Sequence, residues 1–182
     1  MPQPILPQAF SIRFSGLASV LVCDVGVGSS ELVNVNNVKP VSDKSALWDT
    51  GATSSVISKK LAHELGLVPT GRTMVTGVNG SFECNKYVVD IYLPSRVRVR
   101  DVLVTESSGI PYDLLIGMDI IRLGDFALTH TDGLTIFSYQ IPSTHQIDFV
   151  DEVNELGRKI AKNKANNSFK RGISRIKKKK RK

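Results

Sequence analysis

Ala46-Leu47-Trp48-Asp49-Thr50-Gly51-Ala52-Thr53 is the stretch that decides how this chain is read. Apolar residues lead straight into Asp-Thr-Gly, so a strand delivers a carboxylate to a tight turn at its end. Thr50 suits a loop residue whose hydroxyl hydrogen-bonds neighbouring backbone. Gly51 permits a close backbone approach that a Cβ would obstruct. Taken alone, the triplet is equally an Asp-initiated turn. If it carries chemistry, it is half of a site. Two adjacent carboxyl groups share one proton; the ionised one can take a proton from water while its partner hydrogen-bonds a carbonyl. The triplet occurs once in 182 residues, so the second carboxylate would have to come from another copy of the chain.

Two downstream segments give the triplet a context. Leu114-Leu115-Ile116-Gly117-Met118-Asp119-Ile120-Ile121 is an apolar strand running into a glycine and a short helical turn. Thr73 to Phe82 places two β-prone arms around Asn79-Gly80, a strong hairpin signal. In this order and spacing the chain resembles the retropepsins, the single-domain dimeric aspartic proteases, over roughly residues 10–141. The resemblance implies a catalytic Asp49 in a loop with Thr50, Gly51 and Ala52. It implies a substrate-binding flap at Gly77, Val78, Asn79 and Gly80, and Leu115, Ile116 and Gly117 supporting the loop. It further implies a homodimeric endopeptidase acting on polypeptides without a cofactor. A non-catalytic dimerisation or peptide-binding module on the same fold is the alternative.

The chain departs from the pattern of the viral retropepsins. There an acidic residue follows the Asp-Thr-Gly-Ala loop and pairs with arginines, one of them just after the later glycine. Here Thr53 and Met118 stand at those positions, so that ion pair is missing. Asp119 reads as the cap of a short helix through Arg122 that ends near Gly124. Relatives with serine in place of Ala52 have a hydroxyl that favours the ionised pair. Alanine removes it, and the resemblance then implies activity at mildly acidic to near-neutral pH.

The charge of +7 divides unevenly. Of 24 Lys/Arg, 13 lie in residues 157–182, where there is no Asp or Glu; the preceding residues hold 11 basic against 17 acidic side chains. The Lys/Arg tail at 170–182 is therefore a candidate for nucleic acid or an anionic surface, or a solubilising segment. No apolar run reaches the roughly 18 residues of a membrane span. The proline-bearing N-terminus does not read as a signal peptide, so a cytoplasmic location is expected. Cys23 and Cys84 read as reduced core or near-core residues. His63, His130 and His145 are too scattered for metal spacing, so no metal is expected.

Along the chain, strands are expected at Phe10–Phe14, Leu17–Val27, Lys44–Trp48, Tyr87–Leu93, Val97–Val104, Phe126–His130 and Leu134–Tyr139, and Leu32–Val41 reads as an Asn-rich strand or linker. A short helix is expected over Ser58–Leu65, and Arg98 and Arg100 read as a solvated strand face. Many short strands with few helices imply an all-β, closed barrel-like domain. The expected organisation is a flexible arm at 1–9, a retropepsin-like protease domain at 10–142, an amphipathic helix at 143–163 and a disordered basic tail at 164–182.

Overall fold

A computed structural model of the chain describes residues 6–33, 39–77 and 80–179. The chain forms two compact units, Met1–Thr144 and His145–Lys182. The first contains strands β1 (Gln8–Arg13), β2 (Leu21–Ser29), β3 (Val41–Trp48), β4 (Val56–Ser58), β5 (Gly71–Gly77), β6 (Gly80–Tyr92), β7 (Arg98–Ser107), β8 (Leu114–Ile116), β9 (Asp125–Thr129) and β10 (Ile136–Ile141). Helices α1 (Lys59–Glu64) and α2 (Met118–Ile121) interrupt them.

The larger sheet runs β2-β3-β8-β4-β7-β6-β5, and β2 also pairs with β6. That extra pairing closes six strands into a barrel and leaves β5 outside it, attached only to β6. This is the all-β closed barrel expected. Closure satisfies the strand edges that an open sheet would expose. A second sheet, β1-β10-β9, is antiparallel throughout.

Alternation builds the barrel core. Cys23, Val25 and Val27 of β2 are buried, as are Tyr87, Val89 and Ile91 of β6 and Val99, Val102 and Val104 of β7. β-Branched side chains at every second position favour the pleated conformation and fill one face. An aromatic cluster joins the second sheet to the end of β3. The Trp48 ring lies 4.9 Å from that of Phe137 and 5.0 Å from that of Tyr139, with Phe10 5.8 Å from Phe137. Each such ring, once buried, contributes about 1.5–3 kcal/mol. Trp48 is the residue before Asp49, so this packing fixes the base of the loop.

Helix α1 follows its sequence signals. The Ser58 hydroxyl accepts the Leu61 N–H at 3.1 Å, and Gly66 ends the helix with φ +57. Elsewhere the boundaries move for physical reasons. β1 begins at Gln8, inside the expected arm, because Gln8 and Ala9 pair with Ile141 and Gln140. β2 begins at Leu21 and not Leu17. The Gly16 carbonyl accepts the Thr135 N–H and the Ala18 N–H donates to Thr135 Oγ1, which ties that backbone to the other sheet. Of the strand or linker expected over Leu32–Val41, residues 34–38 lie outside the described residues, 32 and 33 form a turn, and β3 begins at Val41. Arg98 is not solvated: it is half-buried, paired with Asp90 at 2.5 Å and Glu31 at 2.9 Å, and stacked over the Tyr92 ring.

The second unit holds helix α3 (Phe149–Lys179). It starts at Phe149, later than expected, because the Asp148 carboxylate caps it. Asp148 Oδ1 accepts the N–H groups of Val150 at 2.9 Å and Asp151 at 3.2 Å. The helical backbone continues past residue 163 into the basic segment. No proline follows Pro142, and Lys, Arg and Ala are good helix formers. Among the described residues no helix is long and apolar enough to cross a membrane.

Candidate active site

The parallel register of β3 on β8 sets the geometry. Ala46 pairs with Leu114, Leu47 with Leu115 and Trp48 with Ile116. The next residue, Asp49, donates its N–H to the Ile116 carbonyl at 2.9 Å. The chain then turns back on the aspartate. Gly51 N–H donates to Asp49 Oδ1 at 2.8 Å and Ala52 N–H to the Asp49 carbonyl at 3.2 Å. A turn closed on an aspartate in this way aims the carboxylate with the loop's own amide. A Cβ on Gly51 would lie 3.2 Å from Asp49 Oδ1, so glycine leaves that oxygen its room. Asp49 is half-buried, and Thr50 and Gly51 are exposed.

Gly117 is required by close approach. A Cβ there would sit 2.7 Å from the Ser54 carbonyl carbon and 3.0 Å from the Ala52 oxygen, both backbone atoms that cannot swing aside. Met118 N–H donates to that Ala52 carbonyl at 2.8 Å. The strand end at Leu115, Ile116 and Gly117 thus lies directly against the Asp-Thr-Gly-Ala loop.

Asp119 does not cap α2. Gly117 occupies the cap position, and Asp119 is one residue inside the helix. Its carboxylate reaches across the loop instead: Oδ2 accepts the Ser55 N–H at 2.9 Å and Oδ1 the Ser55 hydroxyl at 2.8 Å. Ser55 Oγ in turn accepts the Gly117 N–H at 3.1 Å. Thr53 is exposed and Met118 half-buried. Ser55 was not singled out by sequence reasoning. The available hint was a small polar residue directly before the apolar Val56-Ile57, but its partner is 64 residues away.

Behind the loop, Trp48 Nε1–H donates to Cys23 Sγ at 3.2 Å. Burial pushes the Cys23 thiol up to about 11, with the Trp48 bond opposing, so it stays protonated. Tyr139 donates its hydroxyl to the Ile120 carbonyl at 2.8 Å and is pushed by burial to about 12. Both cysteines are free, Cys23 buried and Cys84 half-buried, as expected. Among the described residues no group of His, Cys, Asp or Glu could hold a metal ion.

The hairpin β5–β6 closes with Gly77 opposite Gly80. Val78 and Asn79, the other two expected flap residues, lie outside the described residues.

Residues 32–120 match the family model described as aspartyl protease. Over that segment the chain is similar to aspartyl proteases. Similar solved structures include a retropepsin-like aspartic protease from Rickettsia conorii, 18% identical over 75% of this chain and 96% of that one, with a TM-score of 0.48. The protease of EIAV is 23% identical over 58% of this chain and 88% of its own, with a TM-score of 0.42. The retroviral protease-like domain of Ddi1 from Leishmania major is 20% identical over 63% and 91%, with a TM-score of 0.39. No curated protein matches the chain.

Proposed function

We propose that the chain is an aspartic endopeptidase that works as a homodimer, Asp49 of each copy supplying one carboxylate of the pair. The observation that carries this reading is the Asp49 turn, in which Gly51 N–H is spent on Asp49 Oδ1 at 2.8 Å and the loop is locked against Gly117. A binding module has no use for a carboxylate aimed this carefully. One such loop per chain makes a symmetric dimer the simplest complete site.

In the dimer one carboxylate is ionised and one protonated, the arrangement known for aspartic proteases as a class. The ionised group takes a proton from a bound water as its oxygen attacks the scissile carbonyl carbon. The protonated group donates to the carbonyl oxygen, and a proton then passes to the leaving amine as the C–N bond breaks. Thr50 and Gly51 hold the loop. An extended peptide binds as an added strand, its main chain hydrogen-bonded to the cleft walls and the flap hairpin.

The test is cleavage of a randomised peptide library from about pH 4 to 8 by the wild type and Asp49→Asn, with the mass measured in solution. Cleavage by a dimer that disappears in Asp49→Asn supports the reading. Cleavage that survives the substitution refutes it, and a folded dimer that binds peptides without cutting them points to the module instead.

A further inference from the structure

Helix α3 carries a narrow, exposed apolar stripe. Phe149, Val153, Leu156 and Ile160 are 69%, 67%, 57% and 47% exposed. At 3.6 residues per turn these four fall within about 60° of one another. Their spacing of four, three and four is the a/d pattern of a helix that packs on another helix. A helix in water draws most of its stability from such a packed face. The stripe therefore lacks its other half.

We propose that the stripe pairs, antiparallel, with the same stripe of a second copy of this chain. The spacing is palindromic. With two helices antiparallel and Phe149 opposite Ile160, Val153 falls opposite Leu156, and the same two layers repeat by symmetry. The charges obey the same rule. Asp148, Asp151, Glu152 and Glu155 occupy the first part of this stretch, and Arg158, Lys159 and Lys162 follow. A parallel pair would set acid on acid and base on base; the antiparallel pair sets each against its opposite. In heptad terms Glu152 and Lys159 both take position g beside the seam, so Glu152 of each copy meets Lys159 of the other.

Two further residues fit. Val150, 69% exposed, flanks the stripe at position e. In this register it lies against Gly157 of the second copy. Among the described residues a Cβ on Gly157 would meet nothing within 4 Å, and glycine is a poor residue inside a helix. A close-packed neighbour gives it a purpose. Lys159 makes a loose, exposed contact to Glu155 at 3.8 Å, which the pairing can replace.

The overlap is short, about 17 Å of helix, so it adds to a dimer already joined elsewhere and does not replace that joining. Both contacts are two-fold and can share one axis. The pairing uses no active-site residue.

Sedimentation equilibrium of the full chain tests it, with Glu152→Lys, Lys159→Glu, the double swap, and an equimolar mixture of the two single variants. Each single variant alone sets like charges across the seam and is expected to raise the dimer dissociation constant about tenfold. The double swap and the mixture restore opposite charges and return it to the wild-type value. A parallel pair has no facing Glu152 and Lys159, so single variants without effect overturn the proposal. Single variants that weaken the dimer but are not rescued on mixing overturn it too, as does a wild type that stays monomeric. The two readings fail separately: a charge-responsive dimer that never cleaves peptides counts against the protease alone, and a cleaving dimer blind to these charges counts against the helix pair alone.

Discussion

Replacing Asp119 by alanine removes the acceptor that ties the loop after Asp49 to the strand end before α2. The carboxylate takes the Ser55 N–H at 2.9 Å and the Ser55 hydroxyl at 2.8 Å, and Ser55 is 0% exposed. Water cannot readily take over these donors. The Ile120 N–H, which Asp119 also accepts at 3.0 Å, keeps the Gly117 carbonyl at 3.1 Å and is left out of the sum. A hydrogen bond to a charged group is worth about 1.5–3 kcal/mol, and a buried donor left unpaired costs about 1–3 kcal/mol. Allowing for relaxation around the smaller side chain, Asp119→Ala should cost about 3 kcal/mol, which in a unit of this size lowers Tm by about 10 °C. Asp119→Asn keeps an acceptor for the Ser55 amide and should cost about half as much. The chain's single tryptophan, Trp48, is buried next to the loop, so its fluorescence during urea unfolding reports on this region directly. With Ser55→Ala, the two single losses should exceed the double loss by about 1 kcal/mol or more. An Asp119→Ala variant within about 0.5 kcal/mol of wild type, or strictly additive losses, would refute the coupling.

Gly117→Ala forces a Cβ to 2.7 Å from backbone and should cost about 2–3 kcal/mol, seen as a lower urea midpoint with unchanged slope. Gly124→Ala should be worse, since its Cβ would lie 1.9 Å from the Gln140 carbonyl oxygen; soluble, fully stable protein would contradict this packing. Stability should also fall in alkali. Burial raises the Cys23 thiol from 9.0 to about 11, so the unfolded chain ionises first and gains what the fold cannot. The contribution is complete below about pH 9 and is lost as the pH rises to about 11, a change of about 2–3 kcal/mol. Urea titrations across that window should show a slope that Cys23→Ala reduces, and equal slopes would refute it.

What could be read in the sequence was local. Asp49-Thr50-Gly51 carries its own turn, closed within three residues, and Ser58 and Gly66 bound α1 by short-range chemistry alone. The many short strands with few helices, together with the retropepsin resemblance, were enough to imply a closed β fold. Misreadings arose where a polar side chain had a distant partner. Asp119 follows a glycine and precedes two isoleucines, which is how a cap looks, but its hydrogen bonds go to Ser55 across 64 residues. Arg98 alternates with valines like a solvated residue, yet Asp90 and Glu31 enclose it. Helix α3 was expected from residue 143, but the Asp148 bonds to Val150 and Asp151 start it at Phe149.

The short strand β8 has three residues, too few for ladder hydrogen bonds alone to fix its register on β3. A slip by one residue would turn the buried Leu114 and Ile116 outward and draw Gly117 away from the Ala52 carbonyl. Gly117 and the Ser55–Asp119 bonds both resist that slip, one by admitting no bulkier residue and the other by crossing the loop. In the proposed homodimer their effect is amplified. A two-fold axis repeats any shift of Asp49 in the other copy, so movement perpendicular to the axis changes the separation of the carboxylates by twice its size. Proton sharing requires the two groups to stay within hydrogen-bonding distance. A site assembled from two copies therefore needs a stiffer loop than a site built within one chain, and the Gly117 contact and the Ser55–Asp119 knot are the parts of this fold that supply the stiffness.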